Sequence, residues 1–142
     1  MILYLDTSAL AKKYIQEQDS DRVIAWMDEA DLVGTAILTR AEMAATLTRA
    51  VKASRLPQEG VDKTLDVFRT DWRHFQRVVI DELLVARADS FACMFGLRGY
   101  DSIHLASGVT WQEAIQLPVT FVTFDTELRD AARRAGLQIL PE

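Results

Sequence analysis

Cys93 is the only cysteine in 142 residues, and His74 and His104 are the only histidines. An intramolecular disulfide is excluded, and a structural zinc site lacks soft ligands. Three prolines and six glycines exclude collagen-like and low-complexity chains. No apolar run approaches the roughly 20 residues that span a bilayer, so no membrane partner is expected. The start, Met1-Ile2-Leu3-Tyr4-Leu5, meets Asp6 too soon and lacks the basic residues of a signal peptide, which makes a reducing cytoplasm the expected compartment. Sixteen basic residues against 21 acidic ones give a formal charge of −5, so any grip on nucleic acid has to be local. What is present is 49% hydrophobic and 26% charged, the balance of one globular domain over residues 1–142. A 16.0 kDa chain buries roughly two-thirds of its unfolded surface, enough for a core without staples.

Four short β-branched or aliphatic runs predict strands: Ile2 to Leu5, Leu32 to Ile37, Arg77 to Ile80 and Val119 to Phe124, with Gln138 to Leu140 as a weaker fifth. Between them, Val61, Leu65, Phe68 and Trp72, then Leu84, Ala88, Phe91 and Phe95, recur at helical spacing and mark core-facing helix sides. Further helices are expected at Thr7 to Gln16, Asp21 to Ala30, Ala41 to Ser54, Asp101 to Ile115 and Thr126 to Ala135, the last closed by Gly136. Two helices in succession between Ala41 and Trp72, broken at Arg55-Leu56-Pro57, predict an αα-hairpin. Strands alternating with helices give an α/β class, a parallel sheet with helices on both faces.

In such a sheet, chemistry gathers where strands end and helices begin. Asp6 closes the first strand and Asp125 the fourth; Glu42 lies in the first turn after the second, and Asp101 opens the helix after Arg98-Gly99-Tyr100. Each has a structural explanation by itself. An Asp at such a place is a favoured N-cap, and Thr39-Arg40-Ala41-Glu42 has the spacing of a capping box. Capping does not explain four acids converging on one sheet edge, where carboxylates about 6 Å apart repel by roughly 3 kcal/mol per pair at an effective dielectric of 20. Protonation or a cation has to relieve that repulsion. Hard oxygen ligands without nearby Cys or paired His point to Mg²⁺ or Mn²⁺. Such an ion activates water and stabilises a leaving oxygen, the chemistry of a phosphodiesterase.

Four segments then resemble the PIN-domain ribonucleases, and among them the VapC-type toxins of toxin/antitoxin pairs. They are Leu5-Asp6-Thr7-Ser8-Ala9-Leu10-Ala11-Lys12, Ala41-Glu42-Met43, Tyr100-Asp101-Ser102-Ile103-His104-Leu105-Ala106, and Phe121-Val122-Thr123-Phe124-Asp125-Thr126-Glu127-Leu128. The resemblance runs in order from residue 2 to about residue 140, with all four acids present; Arg40 departs from the small residue common there. It implies a five-stranded parallel sheet in the order 3-2-1-4-5. It also implies Asp6 and Asp101 as the principal metal ligands, with Glu42 and Asp125 completing the pocket and orienting water. Thr123 and Ser8 would supply supporting hydroxyls. The implied reaction is endoribonucleolytic hydrolysis by metal-activated water, leaving a 5′-phosphate and a 3′-hydroxyl. The implied partners are an RNA substrate, a cognate antitoxin, part of whose groove the αα-hairpin supplies, and a second copy in a homodimer.

Arg40, Arg49, Lys52 and Arg55 against Glu42 give a local balance of +3 that suits RNA phosphates or an ordinary solvated helix face. Lys12 is a further phosphate candidate, and His104, three residues after Asp101, reads as a packed helix histidine. Two other enzyme classes fit worse. A haloacid-dehalogenase phosphatase needs D-x-D, where Ser8 stands, and a phosphorylation receiver needs an acidic pair after strand 1 and a late Lys. The alternative outside catalysis is a PIN-fold module that binds RNA or protein without cutting.

Overall fold

The computed structural model describes residues 1–54 and 56–142. Its elements are β1 (Ile2–Leu5), α1 (Thr7–Ala11), α2 (Ser20–Asp28), β2 (Leu32–Ala36), α3 (Thr39–Lys52), α4 (Gln58–Asp71), β3 (Gln76–Val78), α5 (Glu82–Phe95), α6 (Gly99–Ile115), β4 (Thr120–Val122), α7 (Thr126–Arg134) and β5 (Gln138–Leu140). The strands form one sheet in the order β3-β2-β1-β4-β5, and every neighbouring pair is parallel. The expected α/β class and strand order are those observed.

Alternation along the strands divides the core into two layers. Leu3, Leu5 and Val122 face a cluster built with Leu10, Val23, Met43, Leu47, Val61 and Phe68, from the helices between β1 and β3. Tyr4, Ala36, Val78 and Phe121 face the other, built with Leu84, Leu105, Trp111 and Leu128 from α5, α6 and α7. A one-residue slip of β1 would exchange these faces, so its register is firmly set. The helical stripes read from the sequence are core: Val61, Leu65, Phe68 and Trp72 are buried, as are Leu84 and Ala88, while Phe91 and Phe95 pack at the margin.

Several elements are shorter than the sequence pattern suggests. The helix expected from Thr7 to Gln16 stops at Ala11, because Lys12, Lys13 and Tyr14 donate to carbonyls three residues back, and Ser20 then takes up Ile15 O and Glu17 N. Helices α3 and α4 form the expected αα-hairpin, with Pro57 in extended conformation preceding α4; Arg55, in the break, lies outside the described residues. Beyond α7, Gly136 takes φ +89°, and the bonds from Gly136 N to Arg133 O and Leu137 N to Ala132 O close the helix as expected.

Two glycines make room for aromatic side chains where helix α6 packs on the sheet. A Cβ on Gly34 of β2 would stand 2.6 Å from Trp111 Cζ3 of α6, and one on Gly108 of α6 would stand 2.8 Å from Phe121 Cδ2 of β4. Each aromatic fills the space its partner glycine leaves. Gly34→Ala is expected to lower stability by about 1–3 kcal/mol through overpacking, even though alanine loses less backbone entropy on folding. Urea unfolding checks this: the midpoint should fall at unchanged slope.

Candidate functional site

Strands β2 and β3 extend the sheet on one side of β1, and β4 and β5 on the other, so the order in which strands are added reverses between β1 and β4. A crevice opens at such a switch point beyond the strand carboxyl ends. Asp6 directly follows β1, and its amide donates to Val122 O at the end of β4 (3.2 Å). Both oxygens of its carboxylate accept hydrogen bonds. Oδ1 accepts from Ala9 N (2.7 Å) and Ser8 Oγ (2.9 Å), and Oδ2 accepts from Thr123 Oγ1 (2.5 Å). Thr123 is held in turn by the Asp125 amide (3.2 Å). Asp6 is therefore the N-cap of α1 and also a buried acid. Burial pushes its carboxyl above the usual range, against the pull of His104 and of the bonds from Thr123, Ala9 and Ser8.

Glu42 does not make the capping box that its spacing suggests. Thr39 lies inside α3, with Leu38 at the cap position, and its hydroxyl meets Thr35 Oγ1 (2.8 Å) and Thr7 Oγ1 (3.1 Å). Freed from the helix end, Glu42 turns into the crevice, where Oε1 accepts from Thr7 Oγ1 (2.5 Å) and faces His104 Nε2 (3.0 Å). Burial raises its carboxyl, but the bonds from His104 and Thr7 outweigh that and hold it below the usual range.

His104 is packed, as expected, but it is also part of the site. It is 3% exposed and contacts Tyr4 OH through Nδ1 (2.9 Å). Tyr4 is buried, which keeps its phenol protonated far above the ordinary range. An ionised Glu42 can only accept, so Nε2 is the nitrogen that donates to it, while Nδ1 stands against the Tyr4 hydroxyl. The sequence signal was the spacing from Asp101 to His104, which puts both on one side of α6.

Asp101, in the first turn of α6, accepts from Arg98 Nε through Oδ2 (3.0 Å). Asp125 caps α7 through Oδ1, which accepts from Leu128 N (2.9 Å), and its Oδ2 accepts from Arg98 Nη2 (3.3 Å). Asp6, Glu42 and Asp101, with Thr7, Ser8 and His104, line one cavity of about 210 Å³. Asp125 is not among its lining residues and is tied to it through Arg98. Neither Arg98 nor Tyr100, which is 66% exposed at the cavity wall, stood out in the sequence, because nothing in their spacing separates them from surface residues.

The donor set suits a hard cation: carboxylate and hydroxyl oxygens and one imidazole, with Cys93 exposed on α5. Among the described residues no three acidic, imidazole or thiol groups stand close enough to enclose an ion. Magnesium, which keeps most of its waters and takes one or two carboxylates, is compatible with that spacing. Lys12 has partners of its own in Glu17 Oε1 (3.1 Å) and Gln18 O (2.9 Å) and lies over the Phe124 ring. Arg40, Arg49 and Lys52 are exposed, and Arg55 lies outside the described residues.

Comparison with known proteins gives a consistent family. The PIN domain model matches residues 3–134. Ribonuclease VapC35 of Mycobacterium tuberculosis is 30% identical over 141 residues, covering 98% of this chain and 96% of that protein. Ribonuclease VapC46 of the same species is 28% identical over 97% of this chain and 95% of its own length. Among solved structures, VapBC2 from Rickettsia felis bound to a promoter DNA fragment aligns with a TM-score of 0.66 at 12% identity, covering 98% of this chain and 97% of that one. FitAB bound to a DNA fragment aligns at 0.68 and 23% identity, over 98% and 93% of the respective chains.

Proposed function

Because the chain belongs to the PIN-domain family, among its VapC ribonucleases, we propose that it is a divalent-metal-dependent endoribonuclease and the toxin of a toxin/antitoxin pair. The observation that carries this reading is the convergence of Asp6, Glu42 and Asp101 on one cavity at the switch point of the sheet. Mg²⁺ or Mn²⁺ bound there would supply an activated water and charge stabilisation at the scissile phosphate. Asp6 and Asp101 are the residues to hold it, with Glu42 next to them. Asp125, which does not line the cavity, acts from the margin.

The rest of the site positions these acids. Ser8 and Thr123 fix the Asp6 carboxylate from two sides, and Thr7 and His104 fix one oxygen of Glu42 and leave Oε2 for water or metal. The hydrolysis would leave a 5′-phosphate and a 3′-hydroxyl. A small antitoxin protein, in keeping with the VapBC2 and FitAB complexes among the structural neighbours, is one proposed partner, and a second copy of the chain is another. The α3–α4 hairpin is proposed as part of the antitoxin groove. Among the described residues no helix is long and apolar enough to cross a membrane.

The test is cleavage of small RNA by the purified chain with Mg²⁺ or Mn²⁺, beside Asp101→Asn and an EDTA control. Cleavage should be lost in both controls. Identical patterns from wild type and variant, or RNA binding without cleavage, would move the reading to the PIN-fold binding module.

A further inference from the structure

Among the described residues Arg98 is the one lysine or arginine whose side chain hydrogen-bonds to the acids of the site, and it bridges two of them. Its guanidinium uses Nε for Asp101 Oδ2 (3.0 Å) and Nη2 for Asp125 Oδ2 (3.3 Å), joining the start of α6 to the start of α7. Yet the side chain is 82% exposed, so no packing holds it there. Asp101 and Asp125 are 25% and 34% exposed. The contact is therefore electrostatic, screened by water and readily exchanged. Asp101 is also a wall of the cavity, so whatever cation enters it competes with Arg98 for the same carboxylate.

We propose that Arg98 changes partners during the reaction cycle: it neutralises Asp101 and Asp125 in the metal-free chain, and on metal binding it turns to the RNA phosphate at the pocket mouth. This rests on the metal-dependent ribonuclease reading above. A planar guanidinium fork serves both roles, because carboxylate and phosphate present the same paired oxygens. Arg98 needs no backbone movement to exchange them, since its head already stands in solvent. Held by the acids it is a counter-ion; released, it is a substrate ligand.

The exchange predicts effects of opposite sign from one substitution. Arg98→Ala should bind Mn²⁺ about threefold to tenfold more tightly, measured by electron paramagnetic resonance on RNA-free protein, because no guanidinium competes for Asp101. The same variant should raise KM for a short single-stranded RNA at saturating Mn²⁺ by a comparable factor, because one phosphate contact is gone. Arg98→Lys should fall between, since a point charge cannot bridge both carboxylates. Unchanged Mn²⁺ affinity, weaker Mn²⁺ binding, or an unchanged KM would each overturn the exchange. A wild-type chain that bound no Mn²⁺ and cut no RNA would instead overturn the proposed function, a different result from equal Mn²⁺ binding by two active proteins.

Discussion

Asp6→Asn should lower the rate of RNA cleavage about a hundredfold to a thousandfold while making the metal-free protein harder to unfold. The activity loss follows from removing the most deeply buried acid of the cavity, one of the two proposed to hold the cation. The gain in stability has a separate cause. Asparagine still caps α1, because its carbonyl oxygen can accept from Ala9 N and Ser8 Oγ as Asp6 Oδ1 does, while its amide donates to Thr123 Oγ1 in place of accepting from it. What disappears is a carboxylate charge held out of water.

The pH dependence separates the two effects. Burial raises the Asp6 carboxyl in the folded state above its unfolded value. Between those two values the folded chain holds more protons, so stability falls as pH rises and is fully reduced once the folded group ionises. The variant has no such ionisation. Its advantage in thermal unfolding should be present at neutral pH without divalent ions and vanish at pH below the ordinary carboxylate range. Adding Mn²⁺ should then stabilise wild type by mass action and leave the variant nearly unmoved. A variant less stable than wild type at neutral pH in EDTA would show that the Asp6 charge is compensated within the fold.

Much of this could be read from the chain because strands and acids leave strong patterns. The aliphatic and β-branched runs Ile2 to Leu5 and Val119 to Phe124 located β1 and β4, and the acids following them marked the sheet edge. Strand ends were less legible. Val79, placed in a strand by its β-branched side chain, is 65% exposed beyond the end of β3, because β3 lies at the sheet edge and pairs only with β2. The capping box misled for a specific reason. Thr39 and Glu42 have the right spacing, but Thr35 and Thr7 offer Thr39 a buried hydroxyl network, and that tertiary contact overrides the local one. Tyr4 read as an apolar strand residue, and only the fold brings its hydroxyl to a histidine 100 positions away.

That contact sets the second large effect. His104→Ala should cost about 2–4 kcal/mol of stability and lower cleavage about tenfold to a hundredfold. The stability loss has two sources: an emptied volume between Tyr4 and Glu42, and a phenol hydroxyl in the core without the partner it had in Nδ1. The activity loss comes through Glu42, which keeps the Thr7 bond and loses the one from Nε2. His104→Gln tests the difference. Its amide can again donate to Glu42 without restoring the ring's packing, so kcat should recover further than stability does. The Glu42 carboxyl also lies below its unfolded value in the folded chain, so its bonds stabilise the protein above the ordinary carboxylate range, and that contribution is lost as pH falls through the folded value. The part of the wild-type advantage that runs through Glu42 should shrink on acidification in urea titrations, and the part due to packing should not. If Gln and Ala variants lost activity equally while differing in stability, Glu42 would be held by Thr7 alone and His104 would serve only the core.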